Sequence, residues 1–326
     1  MKFIQFVFAF IFFNAISLHL TYSQKLNAVD AIVLKYPKNF DNTEELAEKI
    51  DKDFNSDYDK ARAIYSWIAF NIKYDYAAFL NPPQAMRFSY RNEAEKQKKI
   101  QEFNNQILQK AFRSKKAVCE GFTLLFQHLT ALVEIKSEII RGDSKTRLAD
   151  IGRKSTSSNH AWNIALIDGK WRLIDVTWGQ GYYDGNKGRM VKDFDPVYFD
   201  TEPDYFFAKH FPDSGSFLNR KLNKDEFLNG PLIYNKTITG DYKIITPESG
   251  IIEVNNGDKI TFAIKNISKS DTFYYLNKKN QPVRIVNSKE KRGSLEFQVT
   301  FDNTIGNHIT FYLDTNSIAS FKVIQK

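Results

Sequence analysis

Three side chains, in three separate stretches of the sequence, could together carry out covalent acyl chemistry. The first is Cys119, in Ala117-Val118-Cys119-Glu120-Gly121-Phe122, and it is the single cysteine of the chain. Phe122, Leu125, Phe126, Leu129, Leu132 and Val133 follow at steps of three and four, the period of a helix with one apolar face. A thiol at the start of such a helix feels the positive end of the helix dipole, which favours the nucleophilic thiolate. The competing reading is a small buried hydrophobe, the usual fate of a free cysteine. Gly121 would allow another backbone or a substrate to approach closely.

The other two are His160 and Asp175, in the run from His160-Ala161-Trp162-Asn163 to Asp175-Val176-Thr177-Trp178. Asp168-Gly169 between two alternating apolar segments is a hairpin signal. A two-residue turn pairs Ile167 with Lys170, so Trp162 faces Asp175 and His160 faces Thr177, and a four-residue turn gives the same register. His160, Trp162, Trp171, Leu173 and Asp175 then share a face, with His160 and Asp175 diagonal neighbours roughly 7–8 Å apart at the backbone. An odd loop length would separate them. A Cys–His–Asp site needs this arrangement: the carboxylate fixes the imidazole tautomer and stabilises its cation, and the imidazole takes the thiol proton. Trp162 and Trp171 could flank the pair and exclude water. Alone, His160 reads as a half-buried strand histidine and Asp175 as a carboxylate closing a strand. Their shared face and the lone cysteine favour the site.

The remaining histidines offer less. His128 falls inside the Cys119 helix, His210 in an aromatic segment expected to pack rather than react, and His308 in a late strand. A His-Glu-x-x-His motif, a cysteine pair and a glycine-rich phosphate loop are all lacking, so the sequence points to no structural zinc or nucleotide site.

The elements that would position these groups can also be read. Residues 1–24 read as an export signal: Lys2, then an apolar run interrupted by Gln5, Asn14 and His19, then the small residues Thr21 and Ser23 before a cut at Gln24. The expected mature protein is exported, periplasmic or extracellular, without stable membrane insertion. Loss of Lys2 leaves 45 basic against 38 acidic residues, an excess spread along the chain rather than gathered into a nucleic-acid footprint. One cysteine excludes an internal disulfide framework.

Residues 25–110 read as helical. One helix opens at Thr43, and a second is capped by Ser56 or Asp57 and buries Ala61, Ile64, Tyr65, Trp67, Ile68 and Ile72. A third, Glu93 to Gln109, has Ile100, Phe103, Ile107 and Leu108 as its apolar side, and is an outer helix or a lid. Ile135 to Arg141 alternates as a strand, and residues 142–159 form a polar loop. From about Asp241, seven short alternating segments within some eighty residues suggest a β-sandwich of immunoglobulin-like type. Lys224 to Thr239, with Gly230-Pro231, is an exposed link. The expected domains are 25–235 and 240–326.

Cys119-Glu120-Gly121-Phe122, His160-Ala161-Trp162-Asn163 and Trp171-x-x-Ile174-Asp175-x-Thr177-Trp178 together resemble the transglutaminase-like superfamily, and within it the kyphoscoliosis-peptidase-like branch. Asp59 to Asp75 and Asp204 to Pro212 are similar to the flanking segments of that branch, so the resemblance covers roughly residues 55–215. It implies an α+β fold of papain-like type, a cysteine helix packed on an antiparallel sheet, here followed by the β-sandwich. It also implies Cys119 as nucleophile, His160 as base and then acid, Asp175 as orienting group, and no metal or organic cofactor. Trp162, Trp171 and Trp178 are expected to contact the substrate. The chain departs from the pattern at Ala117, where a glycine usually stands, and in a long stretch from Gln84 to Lys116. The second oxyanion donor is unassigned, with Gln106, Gln109 and Tyr74 as candidates beside the Cys119 N–H.

The expected function is an exported cysteine enzyme acting on amide bonds of protein or peptide. Attack by water gives a peptidase or amidase and attack by an amine gives acyl transfer, with hydrolysis favoured by the resemblance. The alternative is a catalytically weak or inactive relative that serves as a binding module, with a cell-envelope partner for the C-terminal domain and no role for nucleic acid. A redox or anchoring thiol is a third reading, weakened by the lack of a resolving cysteine.

Overall fold

A computed structural model of the protein describes residues 26–82, 89–154, 158–185, 187–268 and 272–326. The segment read as an export signal lies outside them, as do residues 155–157 of the polar loop and 84–88 of the long insertion. Two compact units are formed, one by residues up to Ile140 together with Ala161–Thr201, the other by Arg141–His160 together with Glu202–Lys326.

The first unit opens with α1 (Ala28–Val33), α2 (Thr43–Asp53) and α3 (Asp57–Asn71). Each begins where a side-chain oxygen can accept a first-turn N–H: Asn27 from Asp30, Asn42 from Glu45 and Ser56 from Asp59. The expected face of α3 is buried completely, with Trp67 against Phe112. Arg62 of the same helix is also buried and donates two hydrogen bonds, at 2.8 and 2.7 Å, to Asp30 of α1. Then come β1 (Lys73–Tyr74), the short α4 (Tyr76–Leu80), α5 (Glu93–Ser114), β2 (Lys116–Ala117) and α6 (Cys119–Leu132).

Helix α5 runs five residues past its expected end and stops at Lys115, which is left-handed with φ 55°. Half of its residues are exposed, and only Leu108, Ala111 and Phe112 are buried. Its buried end packs on α6, and Gly121 is what allows this. A Cβ on Gly121 would lie 2.7 Å from the Cβ of Ala117 and 3.3 Å from that of Ala111. The close approach foreseen for Gly121 is therefore helix packing.

Strands β3 (Ser137–Ser144), β4 (His160–Ile167) and β5 (Lys170–Ile174) follow, and the unit boundaries at 140/141 and 160/161 fall inside β3 and β4. Asp168 and Gly169 both have positive φ, 50° and 72°, as a two-residue hairpin turn requires. The register is the expected one from Ile167↔Lys170 to Asn163↔Ile174. There the ladder stops. Asp175 caps α7 (Val176–Gly179) instead of extending β5, so Thr177 is helical and does not face His160. The physical reason is the cap: the Asp175 carboxylate accepts the Trp178 N–H, and its own N–H goes to the Tyr198 carbonyl. A hairpin of β6 (Gly181–Asp184) and β7 (Arg189–Lys192) completes the unit. Phe122, Leu125, Phe126 and Leu129 of α6 share one apolar core with Ala165, Ile167 and Ile174 of the β4–β5 hairpin. This is the expected cysteine helix on an antiparallel sheet.

In the second unit, Gly142–Ser144 of β3 pairs antiparallel with β8 (His210–Pro212), which follows α8 (Pro203–Lys209). A small hairpin, β9 (Ser216–Phe217) and β10 (Arg220–Lys221), leads to α9 (Lys224–Asn229), β11 (Leu232–Ile233) and α10 (Asn235–Thr239). The expected exposed link is thus built into the fold. β11 pairs with the last strand, Phe227, Leu232 and Ile233 are buried, and buried Lys145 donates to the carbonyls of Phe227 and Gly230 at 2.6 and 2.9 Å.

The remaining strands are β12 (Lys243–Thr246), β13 (Ile251–Val254), β14 (Asp258–Lys265), β15 (Phe273–Leu276), β16 (Pro282–Arg284), β17 (Ser288–Lys291), β18 (Ser294–Phe301), β19 (His308–Leu313) and β20 (Asn316–Gln325). One sheet has the order β12-β14-β18-β17; the other is β11-β20-β19-β15-β16, with β13 parallel to β20. Phe262 and Phe297 of the first sheet interlock with Phe273, Phe311 and Phe321 of the second, making a β-sandwich. All seven expected strands are present. Among the described residues, no helix is long and apolar enough to cross a membrane.

Candidate active site

Cys119 is the first residue of α6 and is half-buried. What places it there is the parallel pair β1–β2, in which Tyr74 stands beside Ala117 and the Asp75 N–H donates to the Ala117 carbonyl at 2.8 Å. The N-cap residue, Val118, has no side-chain oxygen for the first-turn N–H groups, and the thiol stands at the positive end of a 14-residue helix.

The same pairing brings Tyr74 to the thiol. Burial, and then the charges of Cys119, Asp175 and Tyr76, hold its hydroxyl protonated far above the ordinary phenol range. Within the first unit Cys119, Asp175 and Tyr74 are therefore gathered, with the hydroxyl kept as a hydrogen-bond donor. Of the three residues offered by the sequence as a second oxyanion donor, Tyr74 is the one paired beside the segment that leads into Cys119. Gln106 is exposed on α5 and Gln109 is half-buried there.

Asp175 is completely buried, with the Trp178 N–H 3.0 Å from its carboxylate. Trp178 is half-buried and meets Tyr198 edge-on at 5.3 Å. Trp162 is buried. Trp171 differs from the other two. It pairs with Leu166 towards the hairpin turn, under the Lys136 ammonium at 5.2 Å. Four residues of strand, roughly 13 Å, separate it from Asp175, so it does not flank that carboxylate.

One residue of the His160 motif has a role that the sequence reading passed over. Asn163, buried on β4, donates its side-chain amide to the Thr123 carbonyl of α6 at 3.2 Å. It ties the strand that begins with His160 to the first turns of the helix that begins with Cys119.

In the second unit His160 is 8 % exposed, and its ring centroid is 5.5 Å from that of His210. His210 is completely buried and stacks on Phe206 at 4.0 Å. Its Nδ1 lies 3.1 Å from the Phe206 carbonyl. A carbonyl only accepts, so Nδ1 donates to it. His210 packs as the sequence suggested, and the packing sets it against His160. The register Ser144↔His210, which brings it there, spans 66 residues and leaves no local signal. His128 is bonded to Thr43 at 2.9 Å, and His308 is exposed.

Residues 44–176, which hold Cys119, His160 and Asp175, match the family model described as the transglutaminase-like superfamily. Through this stretch the chain is similar to the transglutaminase-like superfamily. The human protein named kyphoscoliosis peptidase is 28 % identical over 253 residues, 73 % of this chain and 33 % of that protein. The chain therefore spans about a third of the length of the curated relatives it matches. A crystal structure described as a TGase is 19 % identical with a TM-score of 0.32, covering 65 % of this chain and 48 % of that one. A titin I27 domain mutant is 17 % identical with a TM-score of 0.19, covering 26 % of this chain and 89 % of that one. The first unit has a mixed α+β core, and the C-terminal part is rich in β-strands.

Proposed function

We propose that the protein is a cysteine enzyme acting on amide bonds, with Cys119 as nucleophile, His160 as base and then acid, and Asp175 as the orienting carboxylate. The observation that carries this reading is Cys119 at the head of α6, beside a Tyr74 hydroxyl that stays protonated next to it. His160 takes the thiol proton and Sγ attacks the carbonyl carbon. The oxyanion accepts from the Cys119 N–H and the Tyr74 hydroxyl. The C–N bond breaks as His160 returns the proton to the leaving nitrogen, and an acyl-thioester remains. Water then gives a proton to His160, its oxygen attacks the thioester, and the C–S bond breaks to release the acid and the thiol.

Hydrolysis is favoured over amine transfer by the likeness to a relative named as a peptidase. Protein or cell-wall peptide is the substrate class. The reading extends to export, on the grounds of Lys2 and the apolar run after it, and to a cell-envelope partner for the C-terminal sandwich. Alkylation by iodoacetamide at pH 6 tests the chemistry. The wild-type thiol should react, and His160→Ala should slow it at least tenfold. An unreactive thiol, or one indifferent to His160, would reject catalysis in favour of a binding module.

A further inference from the structure

The first unit exposes Phe79 (46 %) and Leu80 (59 %) at the end of α4, and Tyr182 (52 %) and Tyr183 (41 %) on β6. Single exposed apolar residues are ordinary, but a contiguous set is not. Phe79 and Tyr183 belong to one ladder of rings. Tyr74 lies 6.0 Å from Phe79, Phe79 lies 5.9 Å from Tyr76, and Tyr76 stacks on Tyr183 at 4.2 Å with 21° between the planes. The ladder starts at the residue that adjoins Cys119. It is also held firmly, since Asp75 both bonds to Ala117 and caps α4 through the Ala78 N–H.

We propose that this ladder is the binding shelf for a peptide acyl donor, and that the preferred substrates carry aromatic or large aliphatic side chains beside the reacting amide. A carbonyl presented to Sγ must pass Tyr74, and the adjoining residues then lie along Phe79, Tyr76 and Tyr183. Three ring steps accommodate about four residues of extended chain. Aromatic faces bind apolar side chains by excluding water and by offset or edge contacts.

The charges around the shelf distinguish the acyl donor from a lysine amine. Lys73 precedes Tyr74, and Lys192 of the β6–β7 hairpin is pushed down to about 8 by burial and then by Lys73 and Lys38. A cationic amine arriving along this path would meet Lys73 and Lys192 and an acidic peptide would meet Asp75 and Asp184, so an uncharged apolar peptide fits the shelf best. The shelf rests on the reading of Cys119 as the reacting atom only in placing the bound residues next to the amide.

The test therefore uses the full-length Cys119→Ala variant, in which no reaction is needed. Calorimetry compares acetyl-Phe-Phe-Gly-amide with acetyl-Ala-Ala-Gly-amide. The aromatic peptide should bind at least tenfold more tightly, and Tyr183→Ala or Phe79→Ala in the same background should remove most of that preference. Both positions are exposed, so neither change threatens the fold. Equal affinity, no measurable binding of either peptide, or a preference indifferent to both substitutions would overturn the proposal. A thiol indifferent to His160 in the alkylation test would remove the reaction while leaving a peptide preference intact, so the two failures are distinguishable.

Discussion

The side-chain amide of Asn163 donates to the backbone carbonyl of Thr123 across 3.2 Å, fastening the His160 strand to the Cys119 helix. Both residues are buried, and the bond joins β4 to the first turns of α6. An anchor of this kind fixes a distance that the hydrophobic effect, being non-directional, would leave loose.

Asn163→Ala should therefore lower unfolding stability by about 1–2 kcal/mol, the cost of leaving one buried acceptor unpaired. Asn163→Asp should cost more, because a buried carboxylate would face the Thr123 carbonyl. Urea midpoints of the two variants check the order.

Tyr74→Phe removes a hydroxyl that burial and neighbouring negative charge keep protonated. Turnover of a general protein substrate such as casein should fall by about a hundredfold, as for loss of one oxyanion donor, with little change in KM. Because the folded-state value is raised, the hydroxyl remains a donor throughout the alkaline range in which an ordinary phenol would ionise. The wild-type rate should show no loss from this group up to about pH 10.

Gly121→Ala should destabilise the core by about 1–3 kcal/mol through overpacking against α5. The nearer obstacle is the Cβ of Ala117, at 2.7 Å. Adding Ala117→Gly, which restores the residue usual in the family, should recover part of the loss. Thermal melts of the single and double variants measure the coupling.

Lys145 gives a pH signature in the second unit. Burial, and then the charge of Lys209, push it down to about 7, against a partial opposing effect of Asp150. The folded state thus binds fewer protons than the unfolded chain between about pH 7 and pH 10, and stability rises with pH across that window. Urea titrations at pH 7 and pH 9.5 should show the rise. Lys145→Met should flatten it, while lowering stability at both values by leaving the Phe227 and Gly230 carbonyls unpaired.

Much of this arrangement was legible because it is written locally. The apolar period after Cys119 announces α6, Asp168-Gly169 announces its turn, and the alternation around it fixes the register to Ile174. Asp175-Val176-Thr177-Trp178 alternates just as well, which is why the end of β5 was not visible. A four-residue helix has no period to detect, and its cap depends on Tyr198, brought in from 23 residues away. The link around Gly230-Pro231 reads as punctuation, and only the distant Lys145 and Lys209 show that its carbonyls are held inside the fold. That His210 packs was legible from its aromatic segment, but its place beside His160 was not, since that is set by pairing with β3.

The unit boundaries inside β3 and β4 bear on how the protein could be taken apart. A fragment ending near residue 201 would keep Gly142–Ser144 but lose β8, their partner, and a fragment starting at 202 would carry β8 without a template. Either cut leaves an open strand edge, the kind that recruits a second chain. The C-terminal sandwich is therefore a poor candidate for exchange as a portable cassette, and hybrids joined at residue 201 should aggregate, whereas insertions at the exposed β6–β7 tip should be tolerated.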